Sequence, residues 1–222
     1  LPQLDKVAWG NTKRFLDRLG LGWLFESRQE IEKITLTDLN IISLKGNFDF
    51  GCALGLYSEP KNAHREKTPV GGLLHRFKYQ FDQVAGAILA DLAAELINRQ
   101  NLLRSSDFMV TVPPSFTSRP FDPISFLTER ISFGTGIRWE KSVIKRTRIT
   151  GQQKRIFNRE LKKENVESTF GLNSPLLIKD KRILLFDDLY ASGSTLNEIC
   201  QILRRAKADK IFVLVLAKTS YV

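Results

Sequence analysis

Cysteine is scarce in this chain: Cys52 and Cys200 are the only two among 222 residues, far apart and outside any Cys-x-x-Cys pair. Such spacing supports neither a disulfide framework nor a zinc site, and both residues read as buried thiols. No apolar run approaches the length of a membrane span, and no cationic, small-residue-cleaved signal peptide is visible. A cytoplasmic chain without membrane contact is therefore expected. Gly-x-x-x-x-Gly-Lys-Ser/Thr is missing, which excludes a P-loop nucleotide site, and Gly134-x-Gly136 lacks the third glycine and preceding strand of a dinucleotide site. Internal repeats and low-complexity tracts are absent too. The chain begins with Leu1 rather than Met, which fits a processed or trimmed chain or a piece of a larger protein.

What is present is a globular composition, 26% charged and 42% hydrophobic, long enough for one substantial α/β domain with an appendage. The net charge of +10 is concentrated: Arg138 to Lys163 holds ten Lys or Arg against two Glu. Such a segment suits a polyanion, either a pyrophosphate-bearing substrate or a nucleic acid backbone, the bland alternative being a solvated basic face.

The most informative stretch is Ile183 to Thr195, Ile-Leu-Leu-Phe-Asp-Asp-Leu-Tyr-Ala-Ser-Gly-Ser-Thr. Four apolar residues in a row fit a strand buried on both faces, as in a parallel sheet covered by helices. Asp187 and Asp188 are expected at its carboxyl end, with Leu189 to Gly193 turning the chain. Ser194 and Thr195 open an amphipathic helix with Leu196, Ile199, Ile202 and Leu203 on one face. Backbone N–H groups at such a start, the positive end of the helix dipole and the hydroxyls of Ser192, Ser194 and Thr195 make a cradle for a phosphate. Carboxylates beside a phosphate repel it, but they accept hydrogen bonds from a vicinal diol, so cradle and acids together describe a ribose 5-phosphate. A Walker B strand is excluded with the missing P-loop. A receiver-domain acid pocket would sit on the first strand, whereas here only about 35 residues follow the acids. A plain core strand ending in solvated acids is the remaining alternative.

These thirteen residues resemble the phosphoribosyl-pyrophosphate signature of type I phosphoribosyltransferases, with Ala191-Ser192 where two threonines often stand. Further segments resemble the ComF-type, competence-protein branch of that family. They are Leu74-His75-Arg76-Phe77-Lys78-Tyr79, Val112-Pro113-Pro114 with Arg119-x-Phe121, and Thr150-Gly-Gln-Gln-Lys-Arg followed by Asn165-Val166 and Phe170-Gly171. The resemblance implies that Asp187 and Asp188 bind the ribose hydroxyls. Leu189, Tyr190, Ala191, Ser192, Gly193, Ser194 and Thr195 would wrap the 5-phosphate. Arg119, with Pro113, Pro114, Ser115, Lys78, Gln153, Lys154 and Arg155, would hold the departing pyrophosphate. Asp122-Pro123 replaces a family Asn-Gln and brings a negative charge toward that loop, which is unfavourable unless Arg119 or a metal offsets it. The branch usually carries a Cys-rich zinc ribbon before this point, and residues 1 to 47 show none.

Along the rest of the chain, Phe48 to Tyr57 reads as a strand and Ser58 to Thr68 as a polar loop in which His64 is solvated. Gly72 to Arg99 is helical by its spacing of Leu74, Phe77, Phe81, Val84, Ile88, Leu92 and Leu96, with Asp82 capping a fresh start after a break. Phe108 to Val112 is a second buried strand, Ile124 to Phe133 a short helix and Lys210 to Ala217 a last strand. Residues 1–47, with Trp9 and Trp23 as packing residues, form an appendage, and 48–222 the phosphoribosyltransferase-like domain. Its expected fold is α/β, a mostly parallel sheet flanked by helices, with a flexible basic hood over 138–163. The expected function is a phosphoribosyltransferase binding phosphoribosyl pyrophosphate and substrate-carried Mg²⁺, with no metal held by protein side chains. It would transfer phosphoribosyl to, or release it from, a nitrogenous acceptor, and a homodimer is compatible with this. The alternative is a non-catalytic ligand sensor or a DNA-binding accessory module for DNA uptake, recombination or repair, using the basic segment.

Overall fold

The computed structural model describes residues 34–61, 64–114, 122–147 and 169–220. After a 3-10 turn at Leu36–Asp38, Ile42–Ser43 (β1) runs antiparallel to Phe50–Leu56 (β2). The stretch just before Phe48 thus packs with the chain that follows it, and Leu36 and Leu44 are buried there. Ser58–Lys61 (β3) and His64–Lys67 (β4) pair as an antiparallel ribbon where the sequence suggests a loop. Its polar side chains hid the pairing, because a ribbon outside the core shows no apolar alternation. Cross-strand polar contacts hold it, including Lys61 with Glu66 at 2.7 Å and Arg65 donating to the Ser58 carbonyl at 3.0 Å.

Pro69–Gln80 (α1) starts by the usual rules: Thr68 is the N-cap, accepting from the Gly71 N–H at 3.0 Å, and proline takes the first turn. Gly71 is required at this start, since a Cβ would lie 1.7 Å from the Tyr57 carbonyl oxygen. The helix therefore presses directly on the end of β2. Phe81 breaks it with a left-handed φ of 56°, and Asp82 caps the next helix, Gln83–Arg99 (α2), as expected from the sequence. Asn101–Arg104 (α3), Phe108–Thr111 (β5) and Pro123–Thr135 (α4) follow. Ile144–Arg146 (β6) pairs antiparallel with Phe170–Leu172 (β7), and Arg182–Tyr190 (β8), Ser194–Arg205 (α5) and Lys210–Lys218 (β9) complete the order.

The main sheet runs β1-β2-β9-β8-β5, with β2, β9, β8 and β5 mutually parallel and β1 antiparallel at one edge. Two-fold alternation along each strand feeds two cores. Leu184 and Phe186 of β8 join Phe212, Leu214 and Leu216 of β9 under α1, α2 and α4. Ile183 and Leu185 join Val213 and Val215 under Leu196, Ile199 and Leu203 of α5. Burial on both faces explains the unbroken apolar runs. The fold is α/β, a mostly parallel sheet with helices on both sides, as expected from the sequence.

Asp122 has a role that the sequence reading did not assign to it. Its carboxylate accepts from the Ile124 N–H at 3.1 Å, the Ser125 N–H at 3.3 Å and the Ser125 hydroxyl at 2.6 Å, so the charge caps α4 with Pro123 in the first turn. A cap lets Asn replace Asp at little cost, whereas Ala forfeits roughly 0.5–2 kcal/mol. Urea unfolding should therefore rank native and Asp122→Asn together and Asp122→Ala below them; equal stability of all three would remove the cap.

Candidate active site

The carboxyl ends of the parallel strands are where open α/β sheets bind ligands. Strand β8 is longer than its apolar run, reaching Tyr190, with Asp187, Leu189 and Tyr190 in register with Val215, Ala217 and Lys218 of β9. The turn therefore begins at Ala191, not at Leu189. Because the acids lie within the strand, they alternate. Asp187 follows Ile183 and Leu185 onto the α5 side; Asp188 follows Leu184 and Phe186 onto the α1 side.

Asp187 lines a concavity of ≈ 70 Å³ together with Leu189 through Leu196. Its Oδ1 accepts the Asp188 N–H at 2.9 Å. Burial, then the neighbouring Asp188 charge, push its carboxyl up to about 7, opposed by that N–H and by the Lys78 ammonium. Asp188 is held by Lys78 at 2.7 Å. The resemblance placed Lys78 with the pyrophosphate; in the fold it comes from α1 and pairs with Asp188.

The strand, turn and helix start that the motif suggests are present, with an unforeseen floor. Gly193, the N-cap of α5, has φ 77° and ψ −2°. A Cβ on Gly193 would meet the Tyr190 hydroxyl oxygen at 2.2 Å and its ring at 2.5 Å, so glycine is needed for both conformation and space. Tyr190 is pinned in turn by donating its hydroxyl to the Lys45 carbonyl at 3.0 Å. Ser192 and Ser194 hydroxyls lie 2.9 Å apart, and the Ser194 N–H donates to the Ser192 oxygen at 3.3 Å. The Asn47 N–H donates to Asn197 of α5 at 2.8 Å, so residues 45–47 buttress the cradle from behind. No periodicity in the sequence signals that support.

Pro113 and Pro114 follow β5, beside β8, and line a separate cavity of ≈ 280 Å³ with Trp139 and Ile144. Arg146 of β6 donates to the Pro113 carbonyl at 3.4 Å and lies over the Phe170 ring at 4.7 Å. Pairing continues from β6/β7 to Thr147 and Thr169, whose backbones bond at 2.9 Å, and Glu198 of α5 accepts the Thr169 N–H. Thr147 and Thr169 are thus held together, and Thr169 is tied to α5. Ser115, Arg119, Gln153, Lys154 and Arg155 lie outside the described residues.

Against known proteins, the phosphoribosyl transferase domain model matches residues 135–221. The chain is 28% identical over 157 residues to the DNA utilization protein YhgH of Escherichia coli, covering 68% of each. It is 26% identical over 187 residues to Competence protein F of Haemophilus influenzae, covering 81% of this chain and 77% of that one. Among solved structures, an allosteric regulatory enzyme of purine biosynthesis shares 20% identity at a TM-score of 0.40, over 59% of this chain and 26% of its own. The chain spans about a quarter of that enzyme's length. Residues 135–221 are thus similar to a phosphoribosyl transferase domain, and over a wider span the chain is similar to YhgH and Competence protein F, in keeping with the resemblance read from the sequence.

The raised Asp187 carboxyl has a consequence for stability. The folded chain keeps a proton there that the unfolded chain releases near pH 4, so this group's contribution is lost as pH climbs from about 4 to about 7. Asp187→Asn should melt higher than the native chain at pH 8, by about 2–4 °C per kcal/mol regained, with the gap closing toward pH 4. A pH-independent difference would contradict the assignment.

Proposed function

We propose that this domain binds phosphoribosyl pyrophosphate and transfers its phosphoribosyl group to, or releases it from, a nitrogenous acceptor. The observation that carries the reading is the juxtaposition of Asp187 with the start of α5, where the Ser192 and Ser194 hydroxyls gather over a left-handed glycine. N–H groups and hydroxyls from Ala191 to Thr195 would take the 5-phosphate dianion, while Asp187 and Asp188 would act on the ribose hydroxyls as acceptors. In the forward reaction the bond from the ribose anomeric carbon to pyrophosphate breaks, a bond to the acceptor nitrogen forms, and the acceptor's proton leaves. Positive charge develops on the ring at the transition state, so positioning and electrostatics carry the rate rather than a protein nucleophile.

Mg²⁺ would arrive on the pyrophosphate, where it would supply charge neutralisation. Arg119, Ser115, Gln153, Lys154 and Arg155, on sequence grounds, would take the departing pyrophosphate beside Pro113 and Pro114. We place the start of the functional unit upstream of residue 48, since β1 belongs to the same sheet. No helix among the described residues is long and apolar enough to cross a membrane, and a cytoplasmic setting suits a phosphorylated sugar substrate.

A second reading has its own support. Basic residues cluster over 138–163, and one relative carries the name DNA utilization protein. In that case the domain would hold DNA through that segment, with affinity falling steeply with salt.

Calorimetry on Asp187→Asn with two ligands tests the enzyme reading. Losing a charged acceptor costs roughly 1.5–3 kcal/mol, so ribose 5-phosphate affinity should fall by about one to two decades. Inorganic phosphate should hold or gain, because a negative charge has left its neighbourhood. Gly193→Val should lose both ligands. Unchanged ribose 5-phosphate affinity in both variants would overturn the site.

A further inference from the structure

Ribosyl transfer needs a place for the acceptor, and the order of the strands says on which side it lies. Pro113 and Pro114, beside which the pyrophosphate would depart, follow β5, on one flank of β8. In a single displacement the incoming group attacks the sugar carbon from the face opposite the leaving group. The acceptor then arrives over the other flank of β8, above the ends of β9 and β2. Those two ends are tied together, the Tyr57 N–H donating to the Lys218 carbonyl at 2.8 Å. Helix α1 starts directly on them, with Gly71 pressed against the Tyr57 carbonyl oxygen.

One face of α1 borders this corner. His75, Lys78 and Tyr79 stand three and four residues apart and so share a helix face. The Lys78 ammonium, 2.7 Å from the Asp188 carboxylate, carries that face to the ribose acids. His75 meets the Tyr57 hydroxyl through Nδ1 at 3.3 Å, which fixes its ring and leaves Nε2 as the nitrogen for a ligand. The Tyr79 ring stands 4.9 Å from the His75 ring and is 61% exposed. Burial and then the adjoining Tyr79 raise the Tyr57 phenol, with the Lys78 ammonium opposing, so these side chains are neighbours. An exposed aromatic face beside a ring nitrogen suits a flat ring with polar edges, whereas an aliphatic amine would leave Tyr79 without a stacking partner. We infer that Tyr57, His75 and Tyr79 form the acceptor seat, in which an aromatic nitrogen heterocycle stacks on Tyr79 and bonds at its edge to His75 Nε2, with Tyr57 positioning the imidazole. The seat rests on the ribose-phosphate reading above for the place of the sugar, and it leaves both Asp187 and Asp188 to the ribose hydroxyls.

A nucleoside 5′-phosphate carries the sugar phosphate and the heterocycle together, so calorimetry on the full chain can separate the two. The probes are ribose 5-phosphate and the 5′-monophosphates of adenosine, inosine, guanosine and uridine. At least one nucleotide should bind the native chain about fivefold or more tightly than ribose 5-phosphate, the gain expected of a base stacked on an aromatic side chain. Tyr79→Ala should abolish that gain and Tyr79→Phe should keep it, while ribose 5-phosphate affinity stays within about twofold in both. His75→Ala should weaken the same nucleotide by about threefold or more, again sparing ribose 5-phosphate. The seat is overturned if no nucleotide exceeds ribose 5-phosphate or if the gain survives Tyr79→Ala. Loss of ribose 5-phosphate in step with the nucleotide also overturns it, because Tyr79 then acts on the fold. Ribose 5-phosphate binding without any nucleotide gain removes the seat and leaves the ribose-phosphate reading standing; a native chain that binds none of the five probes removes both.

Discussion

A strand buried on both faces must send alternate side chains to opposite sides, and at this site everything depends on that constraint. In β8 the alternation first fills two cores, with Leu184 and Phe186 on one side and Ile183 and Leu185 on the other. It then delivers one acid to each side without a break in pairing to β9. The chemistry of the two carboxylates follows from where the core beneath them points. Asp187 inherits the α5 side and a small concavity at the start of that helix; Asp188 inherits the α1 side and a lysine.

The energetic consequences are opposite for the two acids. Asp188 is neutralised by an ion pair inside the fold, and removing either partner would strand a charge with little water around it. Among the described residues, Asp187 accepts one hydrogen bond, from the Asp188 N–H, and is pushed toward its neutral form by burial and by its neighbour. Such a group is destabilising until something with hydroxyl donors arrives, the usual relation between a binding site and the stability of its scaffold. Gly193 and Tyr190 show the same economy. A left-handed residue packed on an aromatic ring costs backbone freedom, and in return backbone donors are aimed at one point.

Much of this was legible in the sequence because it is local. Ile183 to Phe186 and the spacing of Leu196, Ile199 and Leu203 announce a strand, a turn and a helix, and Asp82 announces a cap. What escaped is long-range or polar. Lys78 and Asp188 are 110 residues apart in sequence, so no window joins them. Asp122 was read as a charge near an anion loop, although Asp followed by Pro, then by a helical run, is itself a capping signal. The β3/β4 ribbon has no apolar face to betray it. Tyr190 looked like a loop residue because the strand outlasts its apolar run, and only the fold places its ring under Gly193.

The central claim is that the end of β8 and the start of α5 together read a ribose phosphate. Calorimetric titration of the native chain with phosphoribosyl pyrophosphate, with and without Mg²⁺, tests it most directly. The account predicts saturable binding of one molecule per chain that tightens when Mg²⁺ is present, since the pyrophosphate then arrives partly neutralised. Absence of binding in both conditions, in a chain that binds DNA with a steep salt dependence, would contradict it.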